Sequence, residues 1–189
     1  MTSHRCVLIR HGETEWSRNG RHTGRTDLRL LPEGEAQVTS LVPTLAGFEF
    51  TTVLTSPLLR ARQTSRLAGL DEGAEVDPDL AEWDYGTFEG LTTLEIRRDH
   101  PGWDLFDDGA PGGESADQVG IRVDRVIRRV RAAPGDVACV AHGHVLRVLG
   151  ARWIGLAASS ARSFALDPAS VSVLGWERDQ PVIAEWNRR

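Results

Sequence analysis

Residues 6–14 read Cys-Val-Leu-Ile-Arg-His-Gly-Glu-Thr, and this stretch decides the fold. The apolar run, with β-branched Val7 and Ile9, is typical of a strand buried on both faces of a parallel sheet. Arg10 and His11 follow at the carboxyl end of that strand, where open α/β folds bind ligands. A solvated turn explains this one short motif equally well, so the choice between a ligand site and a turn depends on the rest of the sequence.

The composition indicates one ordinary globular domain over residues 1–189, with 40% hydrophobic and 26% charged residues. The net charge of −5 gives no indication of binding to nucleic acid or to a membrane surface. No apolar run approaches the length that spans a membrane. All 22 basic residues other than histidine are arginine. Any fixed cation in a site is therefore a guanidinium, which suits bidentate binding of phosphate or carboxylate.

Cys6 and Cys139 both lie within apolar runs, which favours two buried thiols and leaves a disulfide as the alternative. Residues 1–5 show none of the features of a signal peptide. We therefore expect a cytoplasmic protein, because a reducing compartment keeps thiols free. The sequence leaves room for a homodimer.

Strands and helices alternate along the chain. The apolar patterns predict further strands at 52–55, 75–78, 137–141, 170–176 and 181–186, and helices at 32–46, 57–69, 91–98, 114–132 and 145–155. This order predicts a single three-layer α/β/α domain with a mainly parallel sheet of about five to six strands, flanked by helices. Ser56 and Pro57 are expected to begin the helix at 57 as its N-cap and first residue. Arg122, Arg125 and Arg129 are expected on the solvated face of the helix at 114–132.

Polar residues follow three of the predicted strands where each one ends. If these strands are parallel, Arg10, His11, Arg60 and His142 converge at one edge of the sheet. Two arginines and two histidines around one point suit an anion, and helix N-termini add N–H donors there. Histidine can attack phosphorus and form a phosphorylated intermediate.

Such a reaction also needs a proton donor for the leaving alcohol. Glu82 is the best candidate, because its apolar neighbours favour the neutral acid. Glu89 and Glu13 are the alternatives. No motif with metal-ligand spacing is present in the sequence, so we expect a reaction without a metal.

Five short blocks follow one another between residues 10 and 144. They are Arg10-His11-Gly12-Glu13-Thr14, Ser56-Pro57-Leu58-Leu59-Arg60-Ala61-Arg62-Gln63-Thr64, Leu80-Ala81-Glu82-Trp83-Asp84-Tyr85-Gly86, Gly112-Gly113-Glu114-Ser115 and Ala141-His142-Gly143-His144. In content and order they resemble the histidine phosphatase superfamily, in its phosphoglycerate-mutase-like branch. A single Arg-His-Gly is a weak signal, whereas five ordered blocks are specific.

The resemblance implies that His11 is phosphorylated, that Arg10, Arg60 and His142 hold the phosphoryl oxygens, and that Glu82 acts first as acid and then as base. The implied reaction uses no cofactor and no metal. The substrate side is expected to comprise six further residues: Ser17, Thr23, Gly24, Trp83, Gly143 and His144.

The superfamily contains both mutases and phosphatases. In the mutases an Arg-His pair follows the acid, whereas Trp83 and Asp84 stand there in this chain. That replacement removes a cation expected to hold a phosphoglycerate carboxylate. We therefore expect a phosphatase of the sugar-phosphate or broad acid type, with a small phosphorylated metabolite as substrate and inorganic phosphate as product. A phosphoglycerate mutase and a non-catalytic phospho-ligand binding module are the alternatives.

Two features of the substrate side stay open from the sequence. Arg21, His22 and Arg25, within the loop 17–25, could bind a second phosphate or a carboxylate, but solvated loop charges explain them more simply. The aromatic residues near the acid block form either a rim around the pocket or part of the core. They are Trp83, Tyr85, Phe88, Trp103 and Phe106.

Overall fold

The computed structural model describes residues 4–189. Its centre is a six-stranded sheet in the order β3-β2-β4-β1-β5-β6. The strands are β1 (Cys6–Arg10), β2 (Phe50–Thr55), β3 (Glu75–Val76), β4 (Asp136–Ala141), β5 (Val171–Glu177) and β6 (Gln180–Arg188). The first four of these strands pair in parallel, and the β5–β6 hairpin joins β1 antiparallel at the other side. The predicted fold class is confirmed.

The helices pack on both faces of the sheet. They are α1 (Glu15–Arg18), α2 (Pro32–Thr39), α3 (Val42–Leu45), α4 (Leu59–Leu67), α5 (Thr93–Asp99), α6 (Leu105–Asp108), α7 (Ala116–Arg131) and α8 (Gly143–Trp153). Short 3-10 turns occupy Pro78–Leu80, Gly86–Phe88 and Ala158–Ser163. None of the helices within residues 4–189 is long and apolar enough to cross a membrane.

The strand β1 shows why the chain needs helices on both faces. Cys6 and Leu8 point into one core with α7 and α8, while Val7 and Ile9 point into a second core with α2, α3 and α4. All four side chains are at most 1% exposed. Each large one contributes roughly 1.5–3 kcal/mol through burial. Cys6 and Cys139 are free thiols with their sulfur atoms 3.8 Å apart, as the preferred interpretation predicted.

The predicted helix at 32–46 is in fact two helices, because α2 ends at Thr39 and α3 begins at Val42. Pro43 lacks an amide hydrogen and its ring crowds the preceding turn, so an uninterrupted helix cannot pass through it. The break leaves Val42 39% exposed, while Leu41 and Leu45 stay buried.

The helix predicted at 57–69 begins two residues later, at Leu59. Leu58 is extended, and the Leu59 N–H donates to the Asp27 carboxylate at 2.6 Å. The N-terminus is therefore capped from the long loop after β1, and Ser56, whose hydroxyl accepts from the Leu58 N–H at 3.3 Å, is not the N-cap.

Of the three α7 arginines expected on a solvated face, Arg125 and Arg129 are exposed, whereas Arg122 is buried and corrects the prediction. Arg122 is only 8% exposed and pairs with Glu114 at 2.8 Å. It also donates to the carbonyls of Asp79 and Ala81, both at 2.6 Å. Since a buried guanidinium needs acceptors, the segment before Glu82 is fixed by these bonds. No signal peptide was expected from the sequence in residues 1–5, and residues 1–3 of that segment lie outside the described residues.

Candidate active site

The carboxyl ends of β1, β2 and β4 meet at one edge of the sheet. Arg10 is in register with Ala141, the His11 N–H donates to the Ala141 carbonyl at 3.0 Å, and the Ser56 N–H donates to the Val140 carbonyl at 2.9 Å. The residues that follow these strands are thus brought together by the parallel register.

His11 is 5% exposed and its ring lies edge-on to that of His142, with 5.1 Å between centroids. Its Nδ1 is 2.7 Å from the Gly12 carbonyl, which makes Nδ1 the donor and leaves the Nε2 lone pair available. Burial, and then the nearby Arg60 and Arg10, lower the pKa of His11 well below its usual 6.5. The ring is therefore neutral at physiological pH, as a nucleophile must be.

Arg10 supplies a cation beside His11. One of its Nη atoms donates to the Leu166 carbonyl, while its buried Nε has no partner among residues 4–189. Burial lowers the pKa of Arg10. A Cβ on Gly143 would lie 3.2 Å from the Arg10 Cζ, so glycine allows this close approach. An unpartnered N–H in such a place suits an anion.

Arg60, His142 and Ser56 lie one layer behind the pocket and are fully buried. Arg60 donates from Nε to Nδ1 of His142 at 3.0 Å, and Nε2 of His142 is 2.6 Å from the Ser56 hydroxyl. Burial and the charge of Arg60 lower the pKa of His142 well below 6.5. Because Nδ1 accepts, the proton of the neutral ring is on Nε2 and is donated to Ser56.

The pocket in front of these residues has a volume of about 270 Å³. Seven of the residues expected from the sequence line it: Arg10, His11, Ser17, Thr23, Glu82, Gly143 and His144. Arg60 and His142 do not line it, although they were expected to hold phosphoryl oxygens. In this structure they shape the site from behind.

Glu82 is the candidate acid that lies in this pocket, at the N-terminus of α8. Its carboxylate accepts from the N–H groups of Trp83, His144 and Val145 at 2.9, 3.0 and 2.9 Å. These donors and the helix dipole form a polar seat for the carboxyl group, in place of the apolar surroundings expected from the sequence. Neither of the two alternative acids lines the pocket: Glu13 pairs with Arg18, and Glu89 binds backbone N–H groups.

Trp83 and Gly24 were expected on the substrate side, and the structure places both outside the pocket lining. Trp83 is 0% exposed, with its indole N–H donating to the Glu114 carbonyl at 2.8 Å. The other aromatic residues near the acid block are also at most 7% exposed, so they belong to the core. Tyr85 alone among them also reaches the pocket wall.

Four lining residues had no role assigned from the sequence, namely Gly20, Thr93, Arg147 and Leu166, and Tyr85 was left open between rim and core. Tyr85 places its hydroxyl 2.6 Å from Nδ1 of His144, and burial raises the pKa of Tyr85 while it lowers that of His144. Arg147 lies one turn after Gly143 on the same helix face, a spacing that could have revealed it.

Within residues 4–189, no cluster of three or more His, Cys, Asp or Glu side chains could hold a metal ion.

The model of the histidine phosphatase superfamily, branch 1, matches residues 6–189. The chain belongs to this superfamily. It is 41% identical over 179 residues to an acid phosphatase of Mycobacterium tuberculosis, covering 93% of this chain and 88% of that protein. It is 37% identical over 185 residues to the sedoheptulose 1,7-bisphosphatase of Saccharomyces cerevisiae, covering 80% and 68%. A solved Mycobacterium tuberculosis structure of 39% identity superposes with a TM-score of 0.93, covering 98% of this chain and 97% of that structure's chain.

Proposed function

We propose that this chain is a metal-independent phosphomonoesterase that hydrolyses small phosphorylated metabolites through a phosphohistidine on His11. One observation carries the proposal: the free Nε2 of a neutral His11 shares a pocket of about 270 Å³ with the Glu82 carboxyl and the Arg10 guanidinium. Nucleophile, proton donor and cation are the parts that phosphoryl transfer to histidine requires. The relatives named as phosphatases support the same reaction class.

In the first step, Nε2 of His11 attacks phosphorus and the P–O bond to the substrate alcohol breaks. Glu82, in its protonated form, gives its proton to the leaving oxygen. In the second step, the Glu82 carboxylate takes a proton from water, the hydroxide attacks phosphorus, and the N–P bond breaks. Inorganic phosphate leaves, and the electron pair returns to Nε2.

Fixed donors stabilise the charge that spreads over the phosphoryl oxygens. The Arg10 Nε and the Gly143 N–H have no acceptor among residues 4–189 and both residues line the pocket. The positive end of α8 lies at the same wall. Because these groups are fixed before substrate binds, they cost no reorganisation during the reaction.

Steady-state hydrolysis of an aryl phosphate in excess chelator tests this proposal. We expect turnover to continue in the chelator and to disappear in His11→Ala. The exposed His100 offers a matched control, and His100→Ala should keep full activity. Full activity in His11→Ala contradicts the proposal.

A phosphoglycerate transfer assay and a binding measurement separate the two alternatives from hydrolysis. A mutase would transfer phosphate between positions of phosphoglycerate, primed by the bisphosphate, faster than it releases inorganic phosphate. A binding module would take up phosphate or orthovanadate without turnover. Where a mutase has its Arg-His pair, this chain has Trp83, which lies in the core, and Asp84, which pairs with Arg25. This difference favours hydrolysis.

We also propose a cytoplasmic location, where such metabolites occur.

A further inference from the structure

The segment of residues 23–26, here called the clamped loop, forms part of the pocket wall through Thr23. It is held from one side by a single carboxylate. Oε1 of Glu89 accepts from the N–H groups of Gly24 and Thr26 at 2.9 and 3.0 Å, and Oε2 is also 2.9 Å from the Gly24 nitrogen. Bonds from backbone N–H to a carboxylate are among the stronger hydrogen bonds in proteins.

The other side of the clamped loop is held by Arg60. Its guanidinium donates to the carbonyls of Thr23, Gly24 and Thr26 at 2.8, 3.1 and 3.0 Å. The same side chain donates from Nε to His142. The orientation of Arg60 relative to the pocket is therefore set by where the loop carbonyls lie.

Gly24 allows the two clamps to close on the loop. A Cβ at this position would lie 2.6 Å from the Trp83 carbonyl and 2.7 Å from Oε2 of Glu89. Any other residue would push the loop away from Glu89. The glycine thus has a steric role here, in place of the substrate contact expected from the sequence.

We propose that Glu89 is a positioning residue for phosphoryl transfer: by fixing the clamped loop, it holds Arg60 behind the phosphoryl site and Thr23 at the pocket wall. Glu89 itself does not line the pocket, so it acts through these two residues. This role replaces that of an alternative proton donor, which the sequence left open for Glu89. The inference rests on the proposed function, because it assigns Glu89 to the same site.

Three variants test the inference: Glu89→Ala, Glu89→Gln and the exposed control Glu72→Gln. Since misplacing a site by about 1 Å can cost on the order of 100-fold, we expect Glu89→Ala to lower kcat/KM by roughly 10- to 100-fold. Glu89→Gln keeps one carbonyl acceptor, so its kcat/KM should lie between those of Glu89→Ala and the wild type. Glu72→Gln should match the wild type.

Thermal unfolding and orthovanadate affinity, measured by calorimetry, complete the test. Orthovanadate should bind at least tenfold more weakly to Glu89→Ala and less weakly to Glu89→Gln. The inference is overturned if Glu89→Ala keeps the kcat/KM and the vanadate affinity of the wild type, or if Glu89→Gln, folded to the same Tm, is as impaired as Glu89→Ala. A wild type that hydrolyses nothing would instead remove the proposed function, and the vanadate series would still test the positioning role.

Discussion

Nε of Arg60 donates to Nδ1 of His142 at 3.0 Å, and this bond decides which nitrogen of the histidine carries the proton. Both side chains are 0% exposed. The proton on Nε2 of His142 then goes to Ser56. The pair thereby links the start of α4 to the start of α8 directly behind the nucleophile.

Replacing Arg60 by lysine should therefore impair the site although the charge is kept. A lysine ammonium cannot reproduce the planar set of bonds to His142 and the clamped loop. We expect Arg60→Lys to lower kcat/KM by roughly 100-fold, as displaced catalytic groups do. The exposed neighbour on the same helix supplies the control, since Arg62→Lys should leave kcat/KM unchanged. Equal kinetics in the two variants would count against the arrangement.

Stability should fall as the pH drops from 7.5 to 5. Burial lowers the pKa of His11, His142 and His144 well below 6.5, and that of His22 to about 4. Between the folded pKa values and 6.5 the unfolded chain binds more protons, so stability is present above pH 6.5 and lost below it. Each histidine contributes a slope of about 1.4 kcal/mol per pH unit.

Urea unfolding at a series of pH values measures this slope. His22→Gln should reduce the slope between pH 6 and 5 by about 1.4 kcal/mol per pH unit, because one buried histidine is removed. A free energy of unfolding that is flat from pH 7.5 to 5 would contradict the assignment of neutral buried histidines.

The bonds from Arg122 to Glu114 and to the carbonyls before Glu82 should matter for stability. Arg122→Met leaves the Glu114 carboxylate with the Asp84 N–H but without its guanidinium partner, and it removes the Arg122 donor from two carbonyls. Breaking a buried pair in this way costs roughly 3–5 kcal/mol. Arg128 is exposed on the same helix, so Arg128→Met should cost less than about 0.5 kcal/mol. Chemical denaturation of both variants checks the difference.

The arginines of the first loop should differ in their effect on substrates with a second anion. Arg21 lines the pocket, whereas Arg25 has an 83% exposed side chain paired with Asp84 at 2.6 Å. For a bisphosphorylated sugar we expect Arg21→Ala to raise KM by roughly tenfold, as the loss of a charge-assisted bond does. Arg25→Ala should change KM little. If neither variant distinguishes a bisphosphate from a monophosphate, the loop does not bind a second anion.

The fold could be predicted from the sequence because its signals are local. The alternating burial of β1 and β4 follows from apolar runs, and the convergence of His11 and His142 follows from parallel strands. The break at Pro43 was also present in the sequence, but the regular apolar spacing around it favoured one helix.

The contacts behind the site could not be predicted, because they join residues far apart in the chain. Arg122 looks solvated until Glu114 and the segment before Glu82 are seen to fold over it. Trp83 follows the acid in sequence yet points into the core. Whether Arg60 faces substrate or loop carbonyls depends on the path of the clamped loop, for which local sequence gives no pattern.

The proposed phosphohistidine on His11 is tested most directly by a single-turnover experiment with a ³²P-labelled phosphomonoester. Wild-type protein is mixed with the labelled substrate, quenched in alkali within milliseconds, and digested to locate the label. We expect the label on the peptide that contains His11 and none in His11→Ala. With a labelled aryl phosphate, whose phenolate leaves without a proton donor, Glu82→Gln should retain more label, because only the step that activates water is slowed. Turnover with no protein-bound label at any time, or label on a peptide lacking His11, would contradict the account.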